Sequence, residues 1–222
     1  MVLAKYQKII NDIVAQKDNE TDPEKRTTWA DFELNTRKLD RTTEIQARME
    51  KLYFEGRMIE YLCLAGNYTE FKLKELILSV QGFLALCKKP VLNIKNLEEK
   101  TLGELIYIFK NNCINDEELV KRLKSFNSLR IRAIHKLFDT NYQVTDVETE
   151  VFQNLQSEDF YREIINPVQA YITRITYKGT EVKYDSGSFP QDAKNIIEKL
   201  YAKIKETIGN VDNLDKNLKF LN

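Results

Sequence analysis

The sequence has few of the residues on which metal and redox sites depend. Its 222 residues include one histidine and three cysteines, and no two cysteines form a CxxC pair. Common zinc sites draw Cys and His ligands from such pairs, so we predict neither a metal site nor a cofactor. A phosphate-binding glycine loop, an HExxH helix and a GxSxG turn are also missing. Any chemistry would therefore use carboxylates, Arg, Lys or the single imidazole.

Helix-breaking residues and long apolar runs are also scarce. Seven glycines and four prolines are few for this length and predict long helices. No run approaches the roughly 20 apolar residues that a bilayer span needs, so we expect no contact with a membrane. The first residues lack a secretory h-region, and the cysteine pattern suits reduced thiols, so we expect a cytoplasmic protein. The charges balance, with 34 basic and 34 acidic residues, which argues against non-specific coating of nucleic acid.

What the sequence does contain is helical periodicity over most of its length, which predicts an all-α bundle. We divide the chain into an N-terminal helix and linker (1–28), a helical bundle (29–143) and a C-terminal helical extension (144–222). Residues 172–184 alternate and are rich in β-branched side chains, so we predict a small β-hairpin there.

Local signals mark the predicted helix ends. Gly66 suits a left-handed C-terminal cap, and Asn67 with Glu70 resembles a capping box that starts the next helix. Pro90 would end that helix. Thr101 and Glu104 form a standard capping box.

The next predicted helix starts near Asn115 and runs to about Phe138. Its apolar side would consist of Leu119, Leu123, Phe126, Ala133 and Leu137.

This helix is the most basic segment of the chain. Within sixteen positions it carries six basic residues and no acid: Lys121, Arg122, Lys124, Arg130, Arg132 and Lys136. A basic stripe attracts phosphate, so Asn127, Lys121, Lys124, Arg132 and Lys136 are candidate RNA-binding or phosphate-binding residues.

The same helix contains the only histidine, and Arg130 precedes His135 by five positions. An imidazole transfers protons near neutral pH, and a guanidinium binds two phosphate oxygens and stabilises developing charge. Arg130 and His135 are therefore candidate catalytic residues for metal-free chemistry on RNA. On an ideal helix they lie roughly 140° apart. They would meet if the long Arg side chain reached around the helix, if the helix end were irregular, or if a second copy of the helix brought the two groups together. The alternative is that His135 is an ordinary surface residue.

The string Ser128-Leu129-Arg130-Ile131-Arg132-Ala133-Ile134-His135 resembles the Arg-x4-6-His motif of HEPN domains. The order of the elements before this string is also similar to that of bacterial HEPN-like proteins. It consists of the segment from Thr101 to Ile106, a loop and then an amphipathic helix. The resemblance covers roughly residues 40–140.

The resemblance implies an all-α bundle that dimerises through the motif-bearing helices. Many HEPN proteins are metal-independent endoribonucleases of toxin–antitoxin, antiviral-defence and CRISPR-linked systems, and others are non-catalytic binding modules. Carried over, Arg130 would bind and polarise the scissile phosphate of single-stranded RNA. His135 would transfer a proton during attack of the 2′-OH, which leaves a cyclic phosphate. The partners implied are a second copy, RNA, and a protein such as an antitoxin or regulator.

Two further interpretations stay open. The family usually has a polar residue, often Asn, after the motif Arg, whereas this chain has Ile131. If that face is buried, Arg130 is an internal ion-pair partner and the chain is a non-catalytic dimerisation or partner-binding module. The acidic stretch 146–163 would, on another hypothesis, cover the basic helix and regulate it.

Overall fold

The computed structural model describes residues 41–185 and 211–220, and these are mostly helical with no named strand among them. The predicted all-α class is confirmed for this part of the chain, whereas the helix and linker predicted over 1–28 lie outside it. The chain divides into two compact units, Met1–Arg48 and Met49–Asn222. Of the first unit, residues 41–48 are described, and they are helical.

The second unit contains helical residues 49–54 and seven further α-helices among its described residues. They are α1 (Met58–Leu86), α2 (Leu102–Ile108), α3 (Glu117–Leu137), α4 (Val144–Asn154), α5 (Ser157–Phe160), α6 (Asn166–Asp185) and α7 (Val211–Asn217). Two single π-helical turns interrupt the series, Phe109–Cys113 after α2 and Tyr161–Ile165 between α5 and α6. None of the described helices has the length and apolar character that a membrane crossing requires.

Helix α1 starts eight residues before the boundary predicted at Gly66 and continues through it. The prediction that a helix ends at Gly66 is wrong, and so is the capping box of Asn67 and Glu70, because all three residues lie inside α1. The actual break is at Gly56, whose φ of +72° is the left-handed conformation that glycine adopts without strain.

The C-terminal end of α1 comes before Pro90, as predicted. Lys88 takes the left-handed conformation with φ of 54°, and its N–H donates to the Ala85 carbonyl at 3.1 Å. Lys89 N–H donates to the Leu84 carbonyl at 2.9 Å. These two bonds form a Schellman motif, which satisfies the last carbonyls of the helix.

The short helix α2 begins as predicted, because Thr101 and Glu104 form both bonds of the capping box. The Thr101 backbone N–H donates to Glu104, as Lys100 Nζ does at 2.8 Å. These hydrogen bonds, of which the one from Lys100 has the largest effect, lower the pKa of Glu104 to about 2.

The core forms where α1 packs against α6, α4, α2 and α3. Its largest fully buried side chains are aromatic, and they come from α1, the first π-turn, α5 and α6: Tyr61, Phe109, Phe160 and Tyr171. Residues beyond 144 therefore contribute to the same core as the residues before them.

The predicted β-hairpin over 172–184 is wrong, because these residues belong to α6. Val168, Tyr171, Ile172 and Ile175 are buried, and their spacing is that of a helix face and not that of a strand. The hydroxyls of Thr173 and Thr176 donate to the carbonyls four residues earlier, each at 2.9 Å. Burial against α1 thus overrides the β propensity of the segment.

The C-terminal residues 211–220 are attached to α6 and to the first π-turn. Lys219 N–H donates to the Cys113 carbonyl at 3.1 Å and Asn115 N–H to the Asn217 carbonyl at 2.7 Å. Asp215 pairs with Arg174 at 2.6 Å and with Lys178 at 3.2 Å. Burial alone would raise the pKa of Asp215, but the hydrogen bonds and charges of these two cations lower it.

Candidate functional site

The candidate site is built on α3, which carries all the residues singled out in the sequence. Asp116, one residue after the predicted start, is the N-cap, and its carboxylate accepts from Leu119 N–H at 3.0 Å. The predicted apolar face is confirmed for Leu119, Leu123, Phe126 and Ala133, which are buried, whereas Leu137 is half-buried.

Arg130 points from α3 to α1, where it forms an ion pair inside the chain. Its Nη1 lies 2.9 Å from Oε1 of Glu70, and the two side chains are 17% and 23% exposed. The same Glu70 oxygen also accepts the Leu102 backbone N–H at 3.2 Å. One carboxylate therefore joins α1, the first turn of α2 and the motif arginine of α3.

The arginine needs the space that Gly66 leaves open. A Cβ atom on Gly66 would lie 2.7 Å from Cδ and 2.8 Å from Nη1 of Arg130, closer than such atoms approach. The guanidinium stem therefore packs directly on the backbone of α1. These contacts support the alternative interpretation of Arg130 as an internal ion-pair partner.

Asn127 lies one turn before Arg130 and faces α2. Its Nδ2 is 3.5 Å from the position that a Cβ on Gly103 would take. Among the described residues, Asn127 Oδ1 and Arg130 Nε are buried and have no hydrogen-bond partner. An acceptor and a donor thus remain unsatisfied one helical turn apart. Arg130 has five N–H donors, of which the bond to Glu70 uses one.

His135 lies on the opposite, outward side of α3 and is exposed. Five helical residues turn by about 500°, so the imidazole and the guanidinium leave the helix about 140° apart. Arg130 contacts α1 while His135 faces solvent, so the two proposed catalytic side chains have different surroundings within one chain.

The basic stripe is half neutralised by acids from the segment 146–163. Glu150 of α4 accepts from Arg132 Nε at 2.9 Å and from Lys136 Nζ at 2.5 Å. The hydrogen bond from Lys136 and the nearby positive charges lower the pKa of Glu150. Arg122 pairs with Glu163 and, at 3.0 Å, with Glu118.

Two of the predicted phosphate-binding residues remain without an ion pair in the described part of the chain. Lys121 and Lys124 are exposed and lie one turn apart on the outward side of α3. The outward apolar patch, which we define as Ile131, Ile134 and Phe138, lies beyond them on the same helix. Its side chains are 46%, 37% and 85% exposed.

A groove of about 1160 Å³ runs along the other edge of α3. Its second wall consists of residues 153–156 after and at the end of α4, the end of α5 and part of the second π-turn, and Lys110 of the first π-turn also lines it. We call it the α3–α5 groove. Lys121, Lys124 and Arg132 lie on its α3 side.

No family model, curated protein or solved structure matches this chain. The described residues contain no group of three His, Cys, Asp or Glu side chains placed to hold a metal ion.

The sequence interpretation missed the roles of two residues that determine the state of this site, Gly66 and Glu70, which it assigned to a helix boundary. A glycine inside a helical pattern is itself a signal of close packing, and Gly66 could have been identified in this way. Glu70 has no comparable signal, because its pairing with Arg130 depends on the tertiary packing of α1 against α3. Glu150 and Glu163 belong to the acidic stretch 146–163, which the sequence analysis predicted to cover the basic helix.

Proposed function

We propose that this chain is a HEPN-like, non-catalytic binding module whose partner is a second copy of itself, held through the outward face of α3. The main support is the position of Arg130, which is bound to Glu70 inside the subunit while the outward apolar patch beside it faces solvent. An arginine that is used in this way stabilises the packing of α3 on α1 and is not free to bind substrate.

The composition of α3 supports a second copy as the partner. Lys121 and Lys124, which have no ion pair among the described residues, precede the apolar patch, and Asp139 follows it. In an antiparallel pairing about a two-fold axis, the lysines of one copy approach the acidic end of the other, and the apolar patches meet between them. The resemblance to HEPN domains implies the same mode of pairing.

Sedimentation equilibrium tests this proposal. We expect the wild type to form dimers and the Ile131→Asp/Ile134→Asp variant to be monomeric, because the two carboxylates of each copy would be buried facing those of the other copy. The matched control is Leu78→Asp, which changes an equally exposed leucine on α1 (51% exposed) and should leave the dimer intact. A monomeric wild type, or a dimer that survives both substitutions, would contradict the proposal.

A second candidate function is metal-independent cleavage of RNA, favoured by the exposed ring of His135 in line with Lys121 and Lys124. The 2′-oxygen would attack phosphorus and the bond to the 5′-oxygen would break, with His135 transferring the proton and a cyclic phosphate as product. Arg130 would have to exchange Glu70 for the phosphate.

Cleavage of single-stranded RNA in EDTA distinguishes the two functions. The binding-module proposal predicts intact RNA with the wild type and also with Glu70→Gln, which weakens the hold on Arg130. His135→Ala is the control for contaminating nuclease. Cleavage by the wild type that His135→Ala abolishes, and that Glu70→Gln increases, would establish the nuclease and overturn the non-catalytic assignment.

A further inference from the structure

The α3–α5 groove differs from the rest of the surface in its backbone. Both π-helical turns of the described chain border it: Lys110 comes from Phe109–Cys113, and Glu163 and Ile164 come from Tyr161–Ile165. π-Helical turns are rare and occur frequently at functional sites. The groove does not include the outward apolar patch, but Lys121 and Lys124 belong both to the groove and to the proposed dimer face, so the peptide affinity is also measured in Ile131→Asp/Ile134→Asp, which should retain it.

The walls of the groove are held by ion pairs that use up most of its acids. Arg122 of α3 bonds Glu163 of the second π-turn and Glu118 of its own helix, and Asp159 bonds Arg162. Three cations on the rim have no ion pair among the described residues: Lys110, Lys121 and Lys124. Of the carboxylates that line the groove, Glu117 alone likewise has no ion pair among the described residues. Five basic and four acidic side chains line the groove, so its net charge is +1, and the cations available to a ligand are Lys110, Lys121 and Lys124.

The uncharged lining suits a polypeptide. Ser125 and Ser128 of α3 and the Gln153 amide of α4 present groups that can bond a peptide backbone. A single-stranded nucleic acid would instead need exposed aromatic rings on which its bases stack. The aromatic side chains that line the groove, Phe126 and Phe160, are 3% and 1% exposed and offer no such platform.

We infer that the α3–α5 groove binds an acidic peptide segment of a protein partner, with its carboxylates on Lys110, Lys121 and Lys124 and its backbone beside Gln153. Lys121 and Lys124 lie about 4.5 Å apart along the helix axis, a spacing that neighbouring acidic side chains of a peptide can match. The ion pair of Arg122 and Glu163 joins the two walls of the groove.

Selection from a displayed library of random peptides against the full chain tests this inference. We expect the enriched peptides to be rich in Asp and Glu. Fluorescence polarisation of one enriched, labelled peptide should then show an affinity loss of at least about tenfold in Lys121→Glu/Lys124→Glu. A similar loss is expected in Ser125→Trp, which fills the groove and leaves its charge unchanged.

The charge-matched control is Lys95→Glu/Lys216→Glu, which changes two exposed lysines that do not line the groove and should retain the affinity. Circular dichroism verifies that each variant is folded. Failure to enrich any peptide, enrichment of neutral or basic peptides, or equal binding by the groove variants would overturn the inference. Tighter binding of a labelled single-stranded RNA that is lost in the same variants would overturn it in favour of a nucleic acid.

Discussion

Gly66 and Arg130 are the residues that determine how closely α3 packs on α1. A glycine inside a helix usually costs about 1 kcal/mol relative to alanine. Here that cost is offset because the missing side chain makes room for the guanidinium stem, which then reaches Glu70. The missing side chain of Gly66 and the ion pair of Arg130 with Glu70 therefore depend on each other.

This arrangement predicts opposite effects for two Gly→Ala substitutions in α1. Gly66→Ala should lower the free energy of unfolding by about 1–2 kcal/mol, because overpacking against Arg130 outweighs the gain in helix propensity. Gly82→Ala, where nothing lies within 4 Å of the new Cβ, should raise it by about 1 kcal/mol. Urea unfolding measures both. Stabilisation by Gly66→Ala would show that Arg130 does not pack there.

At the scale of elements, α3 is attached to α4 through one carboxylate. Glu150 binds both Arg132 and Lys136, and the hydrogen bond from Lys136 is the main cause of its lowered pKa. Because the folded chain binds the proton of Glu150 less tightly than the unfolded chain does, this contact stabilises the fold fully above the ordinary pKa of 4.5. The stabilisation is lost as the pH falls through the lowered value.

Glu150→Gln should therefore destabilise the protein near neutral pH, and its effect should shrink as the pH falls below 4.5, because the stabilisation from the wild-type carboxylate is progressively lost. Urea unfolding midpoints at about pH 7 and about pH 3 provide the measurement. Glu148→Gln is the control on the same helix, because Glu148 has no ion pair among the described side chains. If Glu150→Gln lowers the stability equally at both pH values, the charge of Glu150 does not contribute to the stability of the fold.

The same contact bears on the hypothesis that the acidic segment regulates the basic helix. Removal of residues 144–222 is not a clean test, because α6 supplies core residues such as Tyr171 and Ile175. Glu150→Gln combined with Glu163→Gln releases Arg132 and Lys136, leaves Arg122 with Glu118 alone and keeps the core intact. We expect this double variant to bind RNA more tightly than the wild type if the acids regulate access. Unchanged affinity would remove that hypothesis.

At the scale of the whole molecule, the sequence predicts the parts of the fold that local signals determine. The all-α class, the capping box of α2, the end of α1 before Pro90 and the buried face of α3 follow from periodicity and capping, and they are confirmed. The HEPN-like identity, the domain division of the chain and the roles of Arg130 and His135 as catalytic residues stay predictions.

The remaining features depend on contacts between distant segments. Ile172 and Ile175 look like strand residues until α1 is available to bury a helical face. Gly66 looks like a helix end until Arg130, more than sixty residues later, fills the space above it. For the candidate site, the sequence indicated the basic helix and the acidic stretch 146–163 beside it, but not Glu70 as the partner of Arg130.

The central claim is that the outward face of α3 lies against α3 of a second copy while Arg130 stays inside its own subunit. Its most direct test is pulsed electron–electron double resonance with a spin label at Ser128→Cys in a Cys63→Ser/Cys87→Ser background. The account predicts a short, narrow distance between the labels of two copies, and a longer one for a label at Lys95→Cys. Dipolar coupling at residue 128 no stronger than random encounters produce would contradict it.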